Sequence, residues 1–219
     1  MAIIEPFAEA IGFLLSYIYD FGVSYGISIV VLTIIINIII FPLTLRQTKS
    51  TKRMQDAQPE LKRLQKQYKD DKEEMNKKVA EYYKEKGINP LGCIVPLLVQ
   101  MPVWFALFRV LREPLLFIPK EASLYSALED PLSVLYFNMD LQIPASAISN
   151  WMERFPYIVL ILLVVGTALI QQNQLTKKQG KSNNPQQQQM QMIGKVMPIF
   201  FGFILWTLPS GLVVYFLTG

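Results

Sequence analysis

No charged side chain occurs between Asp20 and Arg46. Within that interval the stretch LTIIINIIIFPLTLR, Leu32 to Arg46, sets six isoleucines around a single amide, Asn37. A helix crosses the hydrocarbon core of a bilayer in about 20 apolar residues. This run is long enough, so it is expected to lie in lipid, where an amide is costly. Further apolar runs occupy 91–112, 156–173 and 192–208, and another starts at Leu212. The eight residues from Leu212 to the chain end would rise only about 12 Å as a helix. That last run is therefore read as a span cut short. Composition agrees: 17% of the 219 residues are charged, against about 25% in soluble domains.

Charge sorts the segments between the runs. From Arg46 to Pro90 there are thirteen lysines and arginines against eight acids, a net of +5. From Gln174 to Lys195 there are four lysines and no acid. The N-terminal segment carries Glu5, Glu9 and Asp20 and no basic side chain, and Arg112–Pro156 has three basic residues against six acids. Lysine and arginine near span ends stay in the cytoplasm. The expected topology is multi-pass in the plasma membrane, with the N-terminus and 113–155 outside and 46–90 and 174–191 inside. The basic excess, net charge +4 overall, then faces anionic lipid. No aromatic-rich basic patch or nucleic-acid motif is present, and no DNA partner is expected.

The segment 46–90 carries two helical seams. Met54, Ala57, Leu61, Leu64 and Tyr68 are spaced 3, 4, 3, 4, and Met75, Val79 and Tyr82 are spaced 4 and 3. KDDKEE between them reads as a polar turn with acids placed to open a helix. Gly87, with Pro90 behind it, reads as the stop. Together they predict an antiparallel helical hairpin, with Pro59 interrupting or kinking its first arm. At the N-terminus, Phe7, Ile11, Leu14, Leu15, Tyr17 and Ile18 fall largely on one face and predict an interfacial helix over 1–24. This segment lacks a basic residue ahead of its apolar stretch and is not read as a secretory signal.

The chain has no histidine and one cysteine, Cys93. Histidine chemistry, disulfides and Cys-rich metal sites are excluded, and no nucleophile–base pair is visible. No enzyme activity and no cofactor or metal is expected. The unusual chemistry lies inside the spans. Thr33 and Asn37 are one helical turn apart in the first; Gln100 lies in the second; Tyr157, Thr167 and Gln171 lie in the third, and Trp206 in the fourth. Cross-helix hydrogen bonding, worth about 0.6 kcal/mol each on average, would account for any one of them. Their repetition across four spans, without a carboxylate, suits a wet groove better than a proton relay or ion pump. Prolines at 42, 96, 102, 198 and 209 add kinks and freed carbonyls. Such a bundle matches a full bilayer poorly, which would thin it locally.

Three blocks carry a family pattern: FPLTLRQTKSTKRMQDAQPELKRLQ (Phe41–Gln65), NPLGCIVPLLVQMPVWFALF (Asn89–Phe108) and MPIFFGFILWTLPSGLVVYF (Met197–Phe216). They occur in the same order in YidC-type membrane protein insertases, and the resemblance runs from about Tyr25 to the chain end. It implies an all-α integral membrane protein: a five-span helical bundle, the fifth span truncated here, with a cytoplasmic two-helix hairpin. It also implies insertion of small membrane proteins, alone or with the Sec translocon, through a polar groove open to cytoplasm and lipid. Implied partners are nascent membrane proteins and lipids, with the Sec translocon, ribosome or signal recognition machinery at the hairpin. The resemblance sets Thr33 and Tyr157 on positions that matter in the family and Gln171 on a groove glutamine. The candidate groove set is Thr33, Asn37, Gln100, Tyr157, Gln171 and Trp206. One departure is large. Five residues before the proline of the PLT motif, Pro42, the family usually has an arginine; here that position is Asn37. Lipid scrambling or transport through the same groove is the alternative reading, although no internal repeat of the transporter type is visible.

Overall fold

The computed structural model describes residues 4–88, 95–130, 135–179 and 185–219. Helices dominate, in the order α1 (Glu5–Tyr19), α2 (Tyr25–Gln67), α3 (Lys72–Glu85), α4 (Val95–Arg112), α5 (Ser123–Glu129), α6 (Trp151–Gln179), α7 (Pro185–Leu205) and α8 (Ser210–Thr218). Two two-residue strands, β1 (Leu135–Tyr136) and β2 (Met139–Asp140), pair antiparallel between α5 and α6. Among the described residues two helices are long and apolar enough to cross a membrane, Tyr25–Gln67 and Trp151–Gln174, and Gly194–Leu205 forms a shorter apolar helix. The chain forms two compact units: Met1–Asn37 with Pro102–Gly219, and Ile38–Met101.

In the first unit the core gathers around α8. Every residue from Ser210 to Tyr215 is buried. A methyl group on Gly211 would lie 3.2 Å from Ile29 Cδ1, Leu111 Cδ1 and Leu141 O, so α2, α4 and the segment after β2 all close on this one position. Helix α6 packs along α7 and α8. It approaches α7 closely because Gly202 leaves room for Val165, whose Cγ2 would stand 2.8 Å from a methyl group there.

Helix α1 joins the same unit through Ala8, Ile11, Leu15 and Ile18, all buried. Its Gly12 lies against the Phe117 carbonyl, too close for any side chain. Arg109 on α4 reaches Glu5 of α1 at 3.6 Å, with its guanidinium 5.0 Å over the Phe117 ring. Of the apolar face expected for α1, Ile11, Leu15 and Ile18 are buried and Leu14 is half-buried. Phe7 and Tyr17 are exposed, together with Phe13 and Phe21. The helix therefore has a buried aliphatic face and an adjacent exposed aromatic one, because the positions facing the bundle include small Ala8, Gly12 and Ser16.

In the second unit α2 continues without a break past Leu45 and Arg46, and both Pro42 and Pro59 lie inside it. Pro59 does not end the arm. The turn at 68–71 leads to α3, whose N-cap is Asp71: its Oδ1 accepts the Glu74 N–H at 2.9 Å. Gly87, at φ +61°, ends that helix. The Ile88 N–H donates to Tyr83 O at 2.9 Å and the Gly87 N–H to Lys84 O at 3.3 Å, the paired bonds of a Schellman stop. Ala57 and Leu61 are buried, and the other seam positions, Met54, Leu64, Tyr68, Met75, Val79 and Tyr82, are half-buried. Pro209, one residue past the fourth apolar run, stands outside the helices as the N-cap of α8, with α7 ending at Leu205.

Candidate functional site

Thr33 and Asn37 share one face of α2. Thr33 is fully buried, and its Oγ1 donates to Ile29 O at 2.7 Å. Its hydroxyl is thereby satisfied along its own helix, and its methyl faces the end of α8. Asn37, one turn further, is exposed and makes no hydrogen bond among the described residues. A methyl group on Gly219 would lie 3.3 Å from Asn37 Nδ2 and 3.8 Å from Thr33 Cγ2. The two side chains therefore flank the last residue after α8.

Tyr157 sits elsewhere. It is buried in α6, and its hydroxyl oxygen accepts the Asp140 N–H at 2.7 Å while its O–H donates to Asp140 O at 3.2 Å. A single phenol thus satisfies both main-chain groups of the last residue of β2. Trp206 belongs to the same region. The Arg154 guanidinium lies 5.6 Å over its ring, and its carbonyl accepts the Ser146 N–H at 3.1 Å. Arg154 also donates to Ile148 O, at 2.8 Å from Nε.

The segment between these residues continues to α8. Ser210 N–H and Oγ both donate to Ile143 O, at 3.1 and 2.9 Å, and Gly211 N–H donates to Leu141 O at 2.8 Å. The first amides of a helix have no partner within it. Here Leu141 and Ile143 supply those partners by their carbonyls, which fixes α8 where it begins.

Gln171 is exposed on α6. Its neighbour Gln172 fills the space left by Gly194 on α7. Gln100 belongs to the Ile38–Met101 unit and is half-buried there. The six sequence candidates therefore separate. Thr33 and Asn37 stand together, Tyr157 and Trp206 bind the segment 140–146, Gln171 stands on α6, and Gln100 belongs to the other unit. Among the described residues no hydrogen bond joins the first pair to the second.

Sequence reasoning missed Asp140, Arg154 and Ser210. Asp140 meets Tyr157 through its main chain, so no side-chain signal exists for that contact; its carboxylate serves locally, accepting the Gln142 N–H at 2.8 Å. Arg154 was visible as a lone cation at the start of a span. Ser210 was visible in the LPSG break between two apolar runs, a pattern that starts a helix.

Comparison with known proteins gives a consistent picture. The family model described as 60Kd inner membrane protein matches residues 17–219. A protein of Fusobacterium nucleatum named membrane protein insertase YidC is 38% identical over 216 residues, covering 96% of this chain and 88% of its own length. Proteins of the same name from Pelobacter propionicus and Geobacter metallireducens are 35% and 31% identical, each over 98% of this chain. The chain spans 36% and 34% of those two longer relatives.

Proposed function

Because this chain belongs to the 60Kd inner membrane protein family, the YidC/Oxa1 family, we propose that it is a membrane protein insertase. The observation that carries this is the 38% identity to an insertase of nearly the same length, continuous over 96% of the chain. Solute transport and lipid scrambling have no comparable support.

The proposed mechanism follows from solvation. A helix with an acid or base at its centre enters the bilayer at a cost of about 2.5–3.5 kcal/mol for that residue on translocon scales. A polar face at membrane depth lets water and hydrogen-bonding partners follow such a residue, while the substrate's apolar stretch moves sideways into lipid. Asn37 and Gln171, both exposed and both in the first unit, are proposed to supply that face. Asn37 offers an amide where relatives usually carry arginine, so this groove hydrates by hydrogen bonding and lacks a fixed cation's Coulomb attraction for acidic substrate segments.

Tyr157 and Trp206 are proposed to act at the outer end of the groove. Their hold on Asp140 and Ser146, and the carbonyls of Leu141 and Ile143 on the start of α8, support a groove closed on the outside. The proposed topology is a five-span bundle with an external N-terminus. The exposed rings Phe7, Phe13, Tyr17 and Phe21 would lie at the outer lipid interface, where aromatic side chains concentrate. The basic arms of α2 and α3 would lie in the cytoplasm, where the Sec translocon, ribosome or signal recognition machinery would meet them.

Reconstitution tests the reading. The purified chain in proteoliposomes should carry a small single-span substrate to a protease-protected state. Equal protection in protein-free liposomes would overturn it. A fluorescent-lipid assay on the same vesicles should show no acceleration of lipid exchange.

A further inference from the structure

A second polar site lies wholly within the Ile38–Met101 unit. It is a cleft of about 240 Å³ lined by Arg46, Lys49, Ser50 and Arg53 of α2 and by Gly87 and Ile88 after α3. We propose that this cleft holds the headgroup of an anionic phospholipid of the phosphodiester type, such as phosphatidylglycerol, and so ties the base of the basic arm to the membrane surface.

Position is the first argument. Arg46 is the first charge after the run that ends at Leu45. Arg53 lies seven residues further, about 10 Å along a helix. Three cations therefore stand within one headgroup layer of the end of the apolar stretch. Their spacing of three and four residues keeps them on one helix face.

Charge is the second. No acid lines the cleft. None of the three cations forms an ion pair among the described residues, whereas further along the same arm Arg63 pairs with Glu60 at 3.4 Å and Lys69 with Asp70 at 3.9 Å. The first acid beyond the cleft on α2 is Asp56. Two guanidinium groups can each take two phosphate oxygens side by side, and an ammonium adds a point charge.

Shape is the third. At about 240 Å³ the cleft has room for a phosphate with a glycerol. Gly87 keeps one wall low: no atom of the described residues lies within 4 Å of where its side chain would begin. Ile88 offers an apolar wall to the glycerol backbone. A net-neutral choline lipid would bring a fourth cation to a site that already has three.

The test is native mass spectrometry of the full chain in detergent, titrated with phosphatidylglycerol or phosphatidylcholine, with circular dichroism to confirm helicity. Wild-type protein should retain phosphatidylglycerol and not phosphatidylcholine. The variant R46Q/K49Q/R53Q should lose phosphatidylglycerol affinity at least about tenfold more than the control K66Q/K72Q/K77Q, which removes the same charge elsewhere on α2 and from α3. If the first variant does not fold, Ile88→Glu keeps all three cations, sets a carboxylate in the cleft, and should lower affinity in the same direction. Equal losses in the two triple variants, equal retention of the two lipids, or displacement of phosphatidylglycerol by submillimolar inorganic phosphate would each overturn the proposal. The readout is lipid retention alone, so it stands or falls separately from insertion.

Discussion

At the scale of single residues, two buried phenols make opposite predictions. Tyr157 satisfies both main-chain groups of Asp140. Tyr157→Phe leaves that N–H and C=O without a partner and should lower stability by about 1–3 kcal/mol, read as a fall in the midpoint of denaturant unfolding in detergent. Tyr25 is buried with no hydrogen-bond partner for its hydroxyl among the described residues. Tyr25→Phe should be neutral or stabilising in the same measurement. Asn37 tests the groove. Asn37→Leu should slow insertion, and Asn37→Arg should retain it while favouring substrates with acidic outer segments; an Asn37→Leu protein that inserts every substrate at the normal rate would reduce the amide to packing. Asn37 was legible because an amide among six isoleucines has no propensity-based reason to be there. The role of Tyr157 as a clasp was not, since its partner is 17 residues away and is main chain. Nothing in the local sequence encodes that meeting.

At the scale of elements, the polar stops and starts were the most legible part of the chain. Asp71 and Gly87 sit at the ends that capping chemistry assigns them. Asp71→Ala should destabilise α3 by about 1 kcal/mol, and Gly87→Ala by a similar amount, about 1 kcal/mol, because a side chain at φ +61° is strained. Hydrogen exchange across α3 would register both. The same helix carries a small pH dependence. Lys78 Nζ donates to Glu81 Oε2 at 3.0 Å; that hydrogen bond and the ammonium's charge hold the Glu81 carboxyl below its ordinary range. Its contribution is therefore present above the ordinary carboxylate range and disappears as pH falls through the lowered value, and it is small because both groups are in solvent. Of the interruption or kink expected at Pro59, the interruption does not occur. An interior proline costs about 3 kcal/mol in an isolated helix, which argued for a break or kink at Pro59. The helix instead runs on from Tyr25 to Gln67, because the cost falls on a few groups while the flanking stretches have strong reasons to be helical: an isoleucine run on one side and a seam with buried Ala57 and Leu61 on the other.

At the scale of the molecule, hydropathy identified apolar segments but not how they interlock. The family resemblance, and with it the helical membrane class, could be read from three sequence blocks. The central place of α8 could not, because it depends on carbonyls of Leu141 and Ile143 reaching a helix that starts 67 residues after Ile143. Close approach of α6 and α7 is equally tertiary. Gly202→Leu should force the two helices apart and cost about 1–3 kcal/mol, read as a lower thermal midpoint of the purified protein. That cost should exceed the effect of the same substitution at Gly166, where no atom of the described residues lies within 4 Å of the added carbon.

The stitching of segment 140–143 has a consequence for how such a chain can diverge. Asp140 is gripped by its N–H and C=O, and Leu141 and Ile143 hold α8 by their carbonyls. Every amino acid owns a carbonyl, and all but proline own an N–H. These main-chain contacts therefore ask little of the side chains that carry them beyond a ban on proline at 140, while they are strict at Tyr157, which has the only phenol in the exchange. Side-chain identity is fixed here by other demands, the Asp140 carboxylate that accepts the Gln142 N–H at 2.8 Å and the full burial of Leu141, so Gln142 and Ile143 are where a lineage could rewrite this segment and still hold α8.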